Sequence, residues 1–541
     1  MDIATLLMRV GVPVALLVSI VVVRRLDRPG GRWRARLRSR LLLGLPWGTL
    51  VSMAGVYAVY LFVQRGVVNW HDPLVIPFVS WSYLYPLGVV TAPFSHANAG
   101  HLTGNMLGTL VLAPLAEYAW SHFPTGRGSS SFSSWRTNPY VRAFVLFPLG
   151  VLLAGLASSL LSWGPVIGFS SVVFAFAGFA LVRFPIATIV ALSVRSVVNT
   201  TYTAFLDPVV PAQASSSFSR PWWVGVAVQG HLLGLFLGVF LGILLVARRQ
   251  ERPSALRLWL GSVLLGSSLT IWAVWWYRGT ESFVLYRGLG VVLLYAVAIV
   301  VVLGVLASEK PLVGDLSRRR AATMLVVLPL LVMAMVAVPV NSTTVAAGDT
   351  GADAVTVRDY TVTYAENVPN KKVAAFDVSM FGETTRINTS GVIVMSRERH
   401  LWTQEISRGA LAFDGTRSLQ VGGLTWSERV TAQRRGWSAR GGGTAYVVSL
   451  RVADGEFEDV FQSGPATADA VVDGKNVSVL PEDGRFFLVV SRENKTLARE
   501  PMPAKNTTVT VSGIEFVRGE TKVTAVSNET RIPIASSETY E

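Results

Sequence analysis

The chain has 541 residues, 51% of them hydrophobic, with 48 Lys and Arg against 34 Asp and Glu and no cysteine. The lack of cysteine excludes disulfides, thiolate metal sites and cysteine nucleophiles. Residues 1–340 carry a net charge of +17 and residues 341–541 one of −3. The excess base lies in short loops between apolar stretches, which marks cytoplasmic loops rather than a phosphate-binding surface, so no nucleic-acid partner is expected.

A membrane-crossing helix needs about 20 apolar residues, fewer when it is buried in protein. Ten stretches qualify, near 3–23, 41–63, 101–119, 143–162, 168–183, 186–204, 224–247, 257–276, 285–307 and 322–340. The first has Asp2 before it and Arg9 within it, so it lacks the basic leader and cleavage site of a signal peptide and is expected to stay as a span. Residues 24–40 hold eight Arg, and further base follows at Arg127, Arg136 and Arg142, at Arg248, Arg249, Arg252 and Arg257, and at Lys310 and Arg318 to Arg320. The alternate loops, 64–100, 205–223 and 277–284, are poor in base. The rule that basic loops stay inside then places both termini outside the cell membrane.

Beyond residue 340 the pattern changes. Six Asn open N-x-Ser/Thr sequons: Asn341, Asn388, Asn476, Asn494, Asn506 and Asn528. Asn199 opens a seventh at the outer end of the sixth stretch. Sequons are surface positions on the extracytoplasmic side. Ala445–Val452, Arg485–Ser491 and Thr507–Phe516 read as strands, with turns at Asp454-Gly455, Asp473-Gly474 and Asp483-Gly484. One or two sandwich-like all-β domains are expected, with Gln433–Gly443 as a solvated loop carrying Arg434, Arg435 and Arg440. No catalytic motif stands out there. The expected organisation is a first span and basic loop (1–40), a membrane core (41–247), three additional spans (248–340) and an extracytoplasmic β region (341–541).

Only six histidines exist, and three of them, His96, His101 and His231, fall in or beside apolar spans. Polar groups at membrane depth are functional candidates by default. His101 and Asn105 lie four residues apart, on one helix face, where two donors could stabilise an oxyanion. Gly168-Phe169-Ser170-Ser171 opens the fifth stretch, where a hydroxyl would sit beside free backbone N–H groups. Gly230-His231 is followed by Gly234, Gly238 and Gly242, a small-residue face that lets two helix backbones approach. All three patches lie at the outward ends of their spans, within reach of water.

In this order, H-x4-H-x3-N, G-x-S and H-x3-G-x3-G resemble the rhomboid family of intramembrane serine proteases, over about 41–247. The resemblance implies a rhomboid-like six-helix core plus extra spans, in a polytopic α-helical membrane protein with a β tail. It implies a Ser170 nucleophile, a His231 general base, and oxyanion donors from His101, Asn105 and the Ser170 backbone. His96 and Gly168 would be supporting residues, as would Phe174, packed on the imidazole, and Gly234. Substrates would be transmembrane proteins in the bilayer. Ser171 stands where the family has Gly, and Leu87-Gly88 where a Trp-Arg pair is common. No metal, nucleotide or redox cofactor is implied; His96 and His101 have no nearby carboxylate to complete a zinc site. The alternatives are a pseudoprotease that binds membrane helices without cutting them, and a transporter or membrane anchor for the tail.

Overall fold

The structure is a computed structural model. It describes residues 3–27, 31–210, 217–247, 252–279, 281–344, 353–371, 378–380, 382–527 and 530–540. Arg28, Arg248, Arg249 and the sequon at Asn528 lie outside these residues. The chain divides into two units: a membrane unit, Met1–Ser215, Pro221–Trp276 and Phe283–Thr344, and a second built mainly on Val345–Glu541.

In the membrane unit, helices occupy each of the ten apolar stretches. They are α1 (Ile3–Asp27), α2 (Trp47–Ala58), α3 (Ala99–Trp120), α4 (Phe147–Leu161), α5 (Ser170–Arg183), α6 (Pro185–Leu206), α7 (Val228–Ala247), α8 (Ala255–Ser268), α9 (Arg287–Leu306) and α10 (Arg318–Asn341). A wider turn, Val59–Val63, extends α2. Among the described residues six helices are long and apolar enough to cross a membrane: α1, α4 with its lead-in from Pro139, α6, α7, α9 and α10. Two shorter apolar helices are Trp47–Val63 and α5.

At 14 residues α5 rises about 21 Å, short of a hydrocarbon core of about 30 Å. It needs no lipid, because α3, α4, α6 and α7 pack around it and nearly every side chain from Val172 to Val182 is buried. The stretch expected as a span over 257–276 is corrected. Helix α8 ends at Ser268, and Trp275–Gly279 is a strand paired with Ser282–Leu285. Apolar aromatics at 272, 275 and 276 mimic a helix by hydropathy while favouring extended backbone.

At the other end of the bundle a buried carboxylate organises three elements. Glu117 accepts the Gly48 and Thr49 N–H groups, each at 2.8 Å, and the Thr49 hydroxyl at 2.7 Å. It also meets His122 Nε2 at 2.7 Å, whose Nδ1 accepts the Leu42 N–H at 2.9 Å. Glu117 therefore caps the start of α2, where orphan N–H groups and the helix dipole favour negative charge.

The second unit is antiparallel β. An eight-stranded sheet runs Glu458–Gln462, Thr444–Val452, Ser427–Ala439, Thr530–Ser537, Lys522–Ser527, Ile514–Arg518, Thr507–Val511, with Thr416–Gly422 also paired to Ser427–Ala439. Four-stranded sheets are formed by 466–501 and by 354–407. Trp437, Val477, Leu488, Val490, Phe516 and Ile534 share one apolar core. Two expectations are corrected here. Thr507–Phe516 is a hairpin rather than one strand, turning at Ser512-Gly513 with φ of 51° and 78°, the left-handed pair that a two-residue hairpin needs. The expected solvated loop at 433–443 belongs largely to the strand Ser427–Ala439. There Arg434 is buried and clamps Glu538 through two hydrogen bonds of 2.7 and 2.9 Å.

The sequons also separate. Asn388, Asn494 and Asn506 are exposed and Asn476 is half-buried. Asn341, expected among the surface sequons, is only 1% exposed. It ends α10 inside the membrane unit, and its amide is already hydrogen-bonded on both sides. In the folded chain such a nitrogen offers nothing to a glycosylating enzyme.

Candidate active site

Asn98 closes the start of α3, its side chain accepting the His101 N–H at 2.9 Å. This N-cap fixes the turn from which the polar face begins. His101 and Asn105 follow on one face, and that face meets the loop leading into α5. A Cβ on Gly168 would stand 2.5 Å from His101 Cε1, 2.7 Å from its Nε2 and 3.6 Å from Asn105 Nδ2. The φ of Gly168 is +116°. Both the space and the backbone therefore demand glycine. Two residues later Ser170 begins α5, in the first turn, where backbone N–H groups lack intrahelical partners.

Helix α7 brings His231 to the same end of α5. The two helices are in backbone contact. A Cβ on Gly234 would fall 1.9 Å from the Ser171 carbonyl oxygen, and one on Gly238 2.0 Å from that of Ala175. From the other side, a Cβ on Gly178 would fall 2.4 Å from the Leu235 oxygen. The imidazole of His231 stacks on the Phe174 ring, with centroids 4.2 Å apart and planes at 12°. Ser171 is turned into the helix contact, its Oγ 3.1 Å from where a Gly230 Cβ would be.

Among the described residues, the buried side-chain atoms with no hydrogen-bond partner include Asn105 Nδ2, His231 Nδ1 and both ring nitrogens of His96. Each such atom costs about 1–3 kcal/mol, a cost that a folded protein retains where a ligand or a reaction uses the group. Asn105 Nδ2 lies beside Gly168, just before α5, and the His231 ring lies on Phe174 within it.

His96 lies behind His101, ring edge to ring face, with centroids 5.1 Å apart at 73°. Burial, reinforced by His101, holds its imidazole down to about 3, so it stays neutral at working pH. Its backbone is gripped by one amide: Gln64 Oε1 accepts the His96 N–H at 2.7 Å, and Gln64 Nε2 donates to the His96 carbonyl at 2.8 Å. The same Nε2 also reaches the Leu74 carbonyl. Further along, the Trp81 indole donates to the Ile76 carbonyl and the Tyr85 hydroxyl to that of Pro77. The Ser80 N–H bonds the Val166 carbonyl, and the Gly168 N–H that of Ala92. The loop 64–95 is thus held by amides, aromatic hydroxyls and backbone, with Leu87-Gly88 in a short helix. Gly88 allows close approach: a Cβ there would fall 2.2 Å from the Val79 oxygen.

Residues 83–248 match the family model described as Rhomboid domain. The chain contains a rhomboid domain. No curated protein and no solved structure matches the chain. The matched segment covers α3 to α7 and contains His96, His101, Asn105, Gly168, Ser170 and His231; Gln64 and the helices α1, α2, α8, α9 and α10 lie outside it. With six helices able to cross a bilayer, the chain is an integral membrane protein.

Sequence reasoning passed over Asn98 and Gln64, and took Asn341 only as a surface sequon. Asn98 carried a usable signal, an Asn three residues before a helix-face polar residue at the start of an apolar run. Gln64 carried none beyond being an amide at the end of an apolar stretch, and nothing around Asn341 marked it for a buried role.

Proposed function

We propose that the rhomboid domain is an intramembrane serine endopeptidase that cuts transmembrane helices near their outer ends. The observation that carries this is the convergence at Gly168: the His101 ring and the Asn105 amide lie against the turn that presents Ser170. Stacking of His231 on Phe174, one turn into the same helix, supports the reading of His231 as the base.

His231 takes the proton of Ser170 Oγ as that oxygen attacks the scissile carbonyl, since an unassisted hydroxyl is a poor nucleophile. The carbonyl oxygen becomes an oxyanion that accepts hydrogen bonds from His101, Asn105 and the Ser170 N–H, donors worth about 10²–10³ each in rate. The imidazolium returns the proton to the departing amine, leaving an acyl ester on Ser170. Water, deprotonated by His231, then releases the acid and restores the serine. A substrate must unwind locally, because an intact helix hides its carbonyls in its own hydrogen bonds. Outward placement of this end, of both termini and of the β unit follows from the basic loops at the opposite end.

Treatment of the detergent-solubilised protein with a fluorophosphonate, followed by mass spectrometry, tests the assignment of the nucleophile. The expected adduct is on Ser170, absent in His231→Ala and retained in Ser171→Ala. An unmodified protein, or an adduct on Ser171, contradicts it.

A further inference from the structure

The last helix, α10, lies beyond the matched segment, yet its final residue is built into the loops that frame the candidate site. Asn341 Nδ2 donates to the Ser162 carbonyl at 2.7 Å, and Asn341 Oδ1 accepts the Gly164 N–H at 2.9 Å. Its own carbonyl accepts the Tyr83 N–H at 2.9 Å and the Ser82 hydroxyl at 3.0 Å. Four hydrogen bonds thus join one residue to two separate loops.

Those loops are the ones the site rests on. Ser162 and Gly164 open the segment that ends in Gly168 and Ser170. Ser162 Oγ also lies 3.6 Å from where a Cβ on Gly230 would stand, next to His231. Ser82 and Tyr83 belong to the loop whose Ser80 N–H bonds Val166 and whose Ala92 carbonyl holds Gly168. Helix α10 itself packs on α7, which carries His231, and on α4, which runs into Ser162. A side chain amide is suited to this task, since it offers a donor and an acceptor in one plane. Buried, it keeps its partners only if the geometry is held.

We propose that Asn341 is a positioning residue for the peptidase site, and that α10 is a working part of the catalytic unit rather than a tether for the tail. The proposal rests on the peptidase reading of Ser170 and His231. Asn341 fixes the 162–168 segment, and through it the place of the Ser170 hydroxyl and N–H relative to His231, His101 and Asn105. A shift of about 1 Å at a reacting group costs about 10²-fold in rate.

The test uses the full chain in detergent, with Asn341→Ala and Asn341→Asp beside wild type. Asn341→Asp is nearly isosteric and keeps an acceptor for the Gly164 N–H. For a transmembrane reporter, Asn341→Ala is expected to lower kcat by about 10²-fold with KM within about twofold, and Asn341→Asp to fall between it and wild type. Hydrogen exchange without substrate reads the same contact independently of catalysis. Exchange at 162–169 is expected to accelerate in Asn341→Ala while α3 and α5 stay protected. Unchanged exchange at 162–169 overturns the proposal whether or not the protein cuts. So does a wild-type kcat in Asn341→Ala, or a loss seen only as lowered Tm with kcat intact. A wild type that fails to cut, with exchange altered as expected, refutes the peptidase reading but leaves the loop contact standing.

Discussion

The Phe174 ring lies flat against the His231 imidazole, with centroids 4.2 Å apart and planes at 12°. Phe174 is on α5, four residues after Ser170, and His231 is on α7, so the stack ties the proposed base to the helix of the proposed nucleophile. Such a pair is worth about 0.5–1.5 kcal/mol beyond its buried area. Phe174→Leu is therefore expected to lower kcat about two- to tenfold, with Phe174→Tyr close to wild type. Steady-state cleavage of a reporter by the three proteins checks it; equal rates for Leu and Phe would show that the ring does not orient the imidazole.

Gly168 has no tolerance for a side chain. A methyl there meets the His101 ring at 2.5 Å on a backbone with φ of +116°. Gly168→Ala is expected to cost about 10²-fold or more in kcat/KM through displacement of His101 or of the turn before Ser170. Kinetics alongside a thermal melt check this, because a loss of activity at near-wild-type Tm is the expected pattern.

Glu117 should behave in the opposite way. It collects hydrogen bonds from Gly48, Thr49 and His122 at the far end of the bundle. Glu117→Ala leaves those donors buried and unpaired, and removing one partner of a buried pair costs about 3–5 kcal/mol. A clear drop in Tm is expected, with the fluorophosphonate labelling rate of the remaining folded protein unchanged.

The sequons give a test of orientation. In a glycosylating host, glycans are expected on exposed Asn494 and Asn506 and not on buried Asn341. Single Asn→Gln variants read by gel shift after deglycosylation check each position. Modification of Asn341 would contradict its buried amide, and a tail unmodified at both Asn494 and Asn506 would count against an outward β unit.

Much of this was legible in the sequence because membrane helices are governed by one strong signal, hydropathy, and polar exceptions to it are few. The positions of His101, Asn105, Ser170 and His231 stood out for that reason, and the glycine spacing at 234, 238 and 242 anticipated the close approach of α5 and α7, backbone to backbone at Gly234 and Gly238 and against the Val182 side chain at Gly242. The misses share a cause: composition does not encode who the neighbour is. Trp275 reads as span because it is apolar, yet it starts a strand. Arg434 reads as solvated because it is charged, yet Glu538, more than a hundred residues away, neutralises it in the sheet. Asn341 reads as a sequon from its next two residues, whereas its partners Ser162, Gly164, Ser82 and Tyr83 arrive only by tertiary folding.

The most direct measurement is cleavage of a tagged transmembrane reporter with a destabilised helix, by purified wild type, Ser170→Ala, Ser171→Ala and His231→Ala. The account predicts cutting near the reporter's outer end by wild type and Ser171→Ala, and none by Ser170→Ala or His231→Ala. Four equally inert proteins, on several reporters that an active rhomboid protease cuts, would contradict it and leave a helix-binding protein in its place.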